Sequence, residues 1–289
     1  MKTLATLILI LCFSMINSQD LKPFRVDGKG YWGIKDANGE VIVSPRYDFI
    51  QQYNKKVQFI NGFAKVRISD KWGYIDQTGK EVIPVKYQSA YDFNDGLAAV
   101  KLNEMWGYID KTGKEVIPIK YENAYPFVKG NALAAVQLNG KWGYIDKMGK
   151  VVIQLKYEKA EQFSEDLAIV QFNGKWGVIN SSGVNVADQK YDYITSYVNE
   201  VAKIKLNGKW GYIDKQGKEI IEPVYDDISD FYEGLAAVSI NGKWGFINAK
   251  GEIIIELIYD SASGFSQGQS LVTLGKEEFL INKEGKRIK

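Results

Sequence analysis

Histidine is absent from the 289 residues, and cysteine occurs once, at position 12. Without histidine, imidazole bases, serine triads of the usual kind and imidazole metal sites are excluded. Long apolar runs are missing too, with one exception, Leu4 to Phe13, which is too short to cross a bilayer as a helix. Lys2 before it and Ser14, Asn17 and Ser18 after it give this stretch the build of a secretory signal. Cleavage is expected after Ser18, although Ile16 departs from the small residue preferred two places earlier. Lipidation at Cys12 is disfavoured by the bulk of Leu11. Loss of residues 1–18 removes the only cysteine, so residues 19–289 carry no disulfide, thiol nucleophile or thiolate ligand. An excess of one charge is also lacking. Lys and Arg number 37 against 35 Asp and Glu, a net charge of +2, and nothing in that balance marks a nucleic-acid partner. The expectation is an exported chain, periplasmic or extracellular, with no cofactor and no membrane insertion once the signal is gone.

What is present is a repeat. All seven tryptophans precede glycine: Trp32, Trp72, Trp106, Trp142, Trp176, Trp210 and Trp244, spaced by 40, 34, 36, 34, 34 and 34 residues. Fifteen residues after each stands a tyrosine: Tyr47, Tyr87, Tyr121, Tyr157, Tyr191, Tyr225 and Tyr259. Six residues further comes a second aromatic: Tyr53, Phe93, Phe127, Phe163, Tyr197, Phe231 and Phe265. An eighth, degenerate unit keeps the turn Asn282-Lys283-Glu284-Gly285 but has Glu278-Phe279 in place of Trp-Gly, as a solvent-facing cap would.

The stretch Gly140 to Lys150 (Gly-Lys-Trp-Gly-Tyr-Ile-Asp-Lys-Met-Gly-Lys) and the Val-Ile-Pro-Val-Lys-Tyr of Val82 to Tyr87 resemble the WG-repeat family, also called KWG repeats. The resemblance covers nearly all of residues 19–289. It implies a repeat architecture and carries no common chemistry.

Within a unit, Leu133 to Leu138 reads as a strand, and Asn139-Gly140 as a tight hairpin turn with both residues at positive φ. Trp142 to Ile145 follows as a middle strand, Asp146 to Gly149 as an Asx-type turn, and Lys150 to Ile153 as a third strand. Along the middle strand Trp and Tyr face one way and Gly and Ile the other, so both faces are covered. The segment after each tyrosine, such as Tyr225-Asp-Asp-Ile228-Ser-Asp-Phe231, has apolar residues at steps of three, which predicts one helical turn. The fold class is thus all-β, a tandem array of about eight three-stranded antiparallel meanders. An open β-solenoid or superhelix is preferred because propeller blades usually have four strands and about 40 or more residues; a propeller-like closed ring is the alternative.

The repeated aromatics are read as structural core: the seven tryptophans with Tyr87, Tyr121, Tyr157 and Tyr225. Truncating one tryptophan is expected to cost about 3–5 kcal/mol. The turn aspartates are read as turn caps, since calcium wants six to eight oxygens. Gly28-Lys29-Gly30-Tyr31-Trp32-Gly33 matches a dinucleotide fingerprint but lies in a hairpin, not between a strand and a helix. Glu165-Asp166 and Asp226-Asp227 are paired carboxylates in segments that read as ordinary solvated loops, so no catalytic set is assigned. Function is sought where units differ. The first unit carries six extra residues around Tyr53, Lys55 and Lys56, and the third carries two around Asn131. These four residues are the candidate partner-binding positions. The expected role is a non-enzymatic scaffold that binds a protein or a polysaccharide at the cell envelope. A hydrolase on a ring and a structural spacer are the alternatives.

Overall fold

The computed structural model describes residues 21–26 and 30–288. The expected signal, Cys12 and the Gly28-Lys29 part of the fingerprint match lie outside the described residues. The chain divides into two compact units, Met1–Tyr121 and Glu122–Lys289. The first holds three repeat sheets and a two-stranded hairpin, and the second holds five repeat sheets, all antiparallel.

The third sheet shows the pattern: Ser89–Ala90, Leu97–Leu102, Met105–Asp110 and Glu115–Tyr121, each strand paired with the next in sequence. The last three strands are the expected meander. The first is a two-residue addition that makes the second to seventh sheets four-stranded. The helical turn expected after each tyrosine does not form. In the seventh sheet Asp227–Ile228 is a strand paired with Ser239 and Val238, and the Ser229 N–H donates to the Ala237 carbonyl at 2.9 Å. The segment then reverses through Glu233-Gly234, whose φ values are 51° and 88°. Step-of-three spacing arises because Ile228 lies on the strand and Phe231 on the extended stretch beyond it. A neighbouring strand supplies the hydrogen-bond acceptors that a helical turn would have supplied.

Both turns of the meander form as the sequence predicts. Asn139 and Gly140 take φ values of 52° and 70°. Asp146 Oδ1 accepts from the N–H groups of Met148 and Lys150, each at 2.9 Å, and the same bonding recurs from Asp36 to Asn282. The turn aspartates are therefore caps.

The Trp-Gly pair has a steric cause. Trp72 faces Tyr87 and Tyr74 faces Ile83, so Pro84, Val85 and Lys86 bulge across the single residue Gly73. A Cβ on Gly73 would lie 2.6 Å from the Ile83 carbonyl oxygen and 2.8 Å from the Val85 nitrogen. The same crowding is found at Gly33, Gly107, Gly143, Gly177, Gly211 and Gly245. Proline is tolerated in the bulge because its missing N–H was not needed by the ladder. The eighth sheet confirms the cause by exception. Among the described residues it has no third meander strand, and Phe279 stands opposite Val272 where glycine stands elsewhere.

Within each unit a sheet packs on the next through its own apolar cluster. Tyr74, Ile83 and Tyr87 of the second sheet meet Phe93, Ala98, Val100 and Ile109 of the third. The tyrosines two and fifteen places after tryptophan are the largest fully buried side chains, among them Tyr74, Tyr87, Tyr108, Tyr121, Tyr144 and Tyr157. Their hydroxyls find partners: Tyr74 donates to the Tyr91 carbonyl and Tyr144 to the Glu161 carbonyl, each at 2.6 Å. The tryptophans sit differently from the core reading. All seven are half-buried, and Trp32, Trp72, Trp142, Trp176, Trp210 and Trp244 pack on the rims of the clusters.

The six-residue insertion forms a hairpin, Gln52–Tyr53 paired with Lys56–Val57. Its inner face closes the first core: Val57 is buried with Leu21, Ile34 and Ile50, and its N–H donates to the Leu21 carbonyl at 2.9 Å. The first sheet, with only three strands, is sealed by this hairpin instead of by a fourth strand. The insertion also displaces the aromatic ladder. The residue equivalent to Phe93 is Phe59, packed against the first cluster, and Tyr53 is an exposed residue of the hairpin.

Candidate functional site

The sixth sheet, residues 193–225, opens with Tyr193–Ile194 and then turns through residues 195–200 into Val201–Leu206. A cavity lies on either side of that turn, and Ser196 and Asn199 line both. One, of about 140 Å³, is bounded by Glu161, Glu165, Tyr197, Glu200 and Lys215. The other, of about 320 Å³, is bounded by Lys203, Tyr212, Asp230, Phe231 and Glu233.

Backbone geometry brings these groups to one end of the sheets. The turns before the second strand and the Asx turns lie at the same end, because Val201 pairs with Asp214 in the sixth sheet and Leu167 with Asn180 in the fifth. Lys215 follows Asp214 and so reaches two turns together, donating to Glu200 Oε1 at 2.6 Å and also to Glu165. Those two hydrogen bonds raise the Lys215 pKa. Burial raises the carboxyl of Glu161 above its ordinary value and pushes the Tyr197 hydroxyl up to about 12. In the larger cavity Lys203 pairs with Asp230 at 2.8 Å. Glu233 at its rim pairs with Lys283 at 3.0 Å, and the hydrogen bond from Lys283 lowers its pKa.

One turn at this cleft carries backbone strain, at Glu200. The position that is Gly62, Gly96, Gly234 and Gly268 in other sheets is Asp166 in the fifth and Glu200 in the sixth, with φ values of 64° and 72°. Non-glycine residues other than asparagine and aspartate are seldom held there, and such strain clusters at functional positions.

The sequence-derived candidates are placed elsewhere. Tyr53, Lys55 and Lys56 lie on the sealing hairpin of the first unit, where Tyr53 is 67% exposed. Asn131 is structural: its side-chain amide donates to the Phe163 carbonyl, as Asn61 does to Phe93 at 2.6 Å. Tyr87, Tyr121, Tyr157 and Tyr225 are buried. Of the paired carboxylates, Glu165 lines the smaller cavity, whereas Asp226 links Lys209 to the Asn241 N–H of the next hairpin. Glu161, Lys203 and Lys215 escaped sequence reasoning. Comparison of equivalent positions reveals Glu161, which stands where Tyr91 and Tyr125 stand; Lys203 repeats Lys65 of the second sheet, which pairs with Asp92 at 3.1 Å as Lys203 pairs with Asp230.

The family model of the WG containing repeat matches seven consecutive segments, 32–72, 72–106, 106–142, 142–176, 176–210, 210–244 and 244–276. The chain belongs to the WG-repeat family. The first six matches each run from one tryptophan to the next, and the seventh starts at Trp244, so the family's period is the spacing of the bulge that crosses each Trp-Gly pair. No curated protein matches this WG-repeat chain. Among solved structures it is similar to a eukaryotic initiation factor, with TM-score 0.43, 9% identity, and coverage of 94% of this chain and 84% of that one. Hsv2 of Kluyveromyces lactis gives TM-score 0.39 and 9% identity, covering 90% of this chain and 93% of that one. PorZ of Porphyromonas gingivalis, a surface component of the type-IX secretion system, gives 0.32 and 10%, covering 92% and 44%.

Proposed function

We propose that this WG-repeat chain is a non-enzymatic exported scaffold, and that the cleft flanking residues 195–200 holds a basic segment of a partner protein. The observation that carries the reading is the coincidence, around one sheet, of two cavities with a predominantly acidic lining and a glutamate, Glu200, held in the left-handed region. The lining has a sign. Glu161, Glu165, Glu200, Asp230 and Glu233 face three lysines, Lys203, Lys215 and Lys283, in a chain whose net charge is +2. Lysine and arginine side chains complement such a lining, which favours a protein segment over a neutral polysaccharide. Hydrolysis by a carboxylate pair would call on Glu161, the one carboxyl of the cleft raised by burial. The other two carboxylates of its cavity, Glu165 and Glu200, are both engaged by Lys215. That engagement supports a binding role.

Calorimetric titration with a short oligolysine peptide tests the reading. Binding is expected, and Glu161→Gln and Glu200→Gln are each expected to weaken it about tenfold. Glu256→Gln removes the same charge from an exposed site on the seventh sheet and is expected to leave the affinity unchanged. Equal losses from all three variants would reduce the interaction to net charge and remove the cleft as its site.

A further inference from the structure

The sixth sheet carries a second feature that shares no residue with the cleft. Trp176, Tyr193 and Trp210 form a chain of three rings. Their centroids are 6.4 and 6.2 Å apart, with interplanar angles of 78° and 84°. Tyr193 is 47% exposed and both tryptophans are half-buried, so the chain forms a ridge open to solvent. Packing within the repeat does not require Tyr193. The equivalent residues of the third, fourth, seventh and eighth sheets are Ser89, Asn123, Asp227 and Ser261, each paired in the same register.

Both ends of the ridge carry a cation held on an indole face. Lys159 Nζ lies 5.7 Å from the Trp176 ring centroid, and Lys205 Nζ lies 5.1 Å from that of Trp210. Cross-strand pairing puts Tyr193, Lys205 and Trp210 in one row on one face of the sixth sheet. The neighbouring Lys175 and Lys209 are neutralised by Asp192 and Asp226. Among the described residues Lys159 and Lys205 have no carboxylate partner. The ridge therefore combines exposed ring faces and edges with two uncompensated positive charges.

We propose that this ridge is a binding surface for an acidic polysaccharide, a chain of pyranose rings bearing carboxylates. Apolar C–H faces of the sugar rings pack on Tyr193 and the tryptophan edges, while the sugar carboxylates take Lys159 and Lys205 from their indole faces. Rings alone would accept neutral glycans equally, and lysines alone would accept any polyanion. Together they select a carbohydrate that is also anionic.

The repeat supplies substitutions that its own sheets already tolerate. Serine occupies the Tyr193 position in the third and eighth sheets, and glutamine occupies the Lys205 position in the fourth and fifth. Affinity electrophoresis and calorimetry would be run on the full chain with polygalacturonate, with neutral dextran as the comparison. The intact protein is expected to bind polygalacturonate in a salt-dependent way and to ignore dextran. Tyr193→Ser and Lys205→Gln are each expected to weaken binding about tenfold with the melting temperature unchanged. Absence of binding, equal retention by dextran, or full affinity in Tyr193→Ser would each overturn the proposal. Because no cleft residue is altered, loss of polygalacturonate binding with oligolysine binding intact separates the two surfaces.

Discussion

Gly143→Ala is expected to destabilise the protein by about 3 kcal/mol, the upper end of what overpacking a close-packed site usually costs. The added methyl would sit 2.6 Å from the Ile153 carbonyl oxygen and 2.8 Å from the Gln154 carbonyl group, which are backbone atoms of a bulge fixed on both sides by strand pairing. No rotamer change can relieve a clash with main chain, so the bulge must open or the ladder slip. Gly140→Ala, three residues away, is the informative contrast. Its Cβ would meet nothing within 4 Å, and its cost is only that of a left-handed conformation at φ 70°. That substitution is expected to cost about 1 kcal/mol. Urea unfolding followed by circular dichroism distinguishes them, and equal costs would mean that the bulge yields to the added methyl and that crowding is not what fixes glycine after each tryptophan.

Alkali is expected to unfold the protein in a steep step above about pH 10. Tyr74, Tyr108, Tyr144, Tyr191 and Tyr212 are at most 2% exposed, and burial raises every one of their hydroxyl pKa values above the ordinary 10.0. A neutral buried phenol contributes its full stability below the unfolded pKa. As pH rises beyond that value only the unfolded chain can ionise, and the advantage is lost through the range up to the folded pKa. Each tyrosine then costs about 1.4 kcal/mol per pH unit. Five of them remove roughly 7 kcal/mol per unit, as much as a typical domain's whole stability. Tyrosinate absorbance and far-ultraviolet dichroism recorded along one pH titration should therefore change together for these residues. Ionisation of all tyrosines with the β-sheet signal intact would show that the hydroxyls are reachable by solvent in the folded state.

Much of the fold was legible in the sequence because the repeat prints the same constraint seven times. Asn139-Gly140 and the Asp146 turn carry their conformations in local chemistry, and both formed as read. The burial order of the aromatics was not legible. Trp142 and Tyr157 recur with equal fidelity, yet the tyrosine fills the core and the tryptophan covers its rim, a difference of depth that spacing does not encode. The half-buried tryptophans are accordingly worth less than full burial would imply. The short strand before each meander was obscured because two residues cannot display a period of two, and the spacing from Tyr225 to Phe231 imitated a helix. Tyr53 entered the aromatic ladder by coincidence, since the insertion placed it six residues after Tyr47 while Phe59 took the structural place. The cleft was hidden for a different reason. Glu161, Lys203 and Lys215 come from three segments, and only the stacking of the fifth, sixth and seventh sheets brings them around one turn.

On the proposed reading, invariant residues build the stack while the acidic lining and the left-handed Glu200 around the sixth sheet are held for binding at a cost in stability. The most direct test is the melting temperature and oligolysine affinity of the double variant Asp166→Gly, Glu200→Gly, which returns both turns to the residue used in four other sheets. Relief of the left-handed backbone is expected to stabilise the fold by about 0.5–1 kcal/mol, chiefly at Glu200, because aspartate tolerates that conformation and the exposed Glu200–Lys215 pair contributes little. A higher melting temperature with weakened peptide binding is the predicted result. A lower melting temperature with undiminished binding would contradict the account, showing these side chains to be part of the scaffold itself.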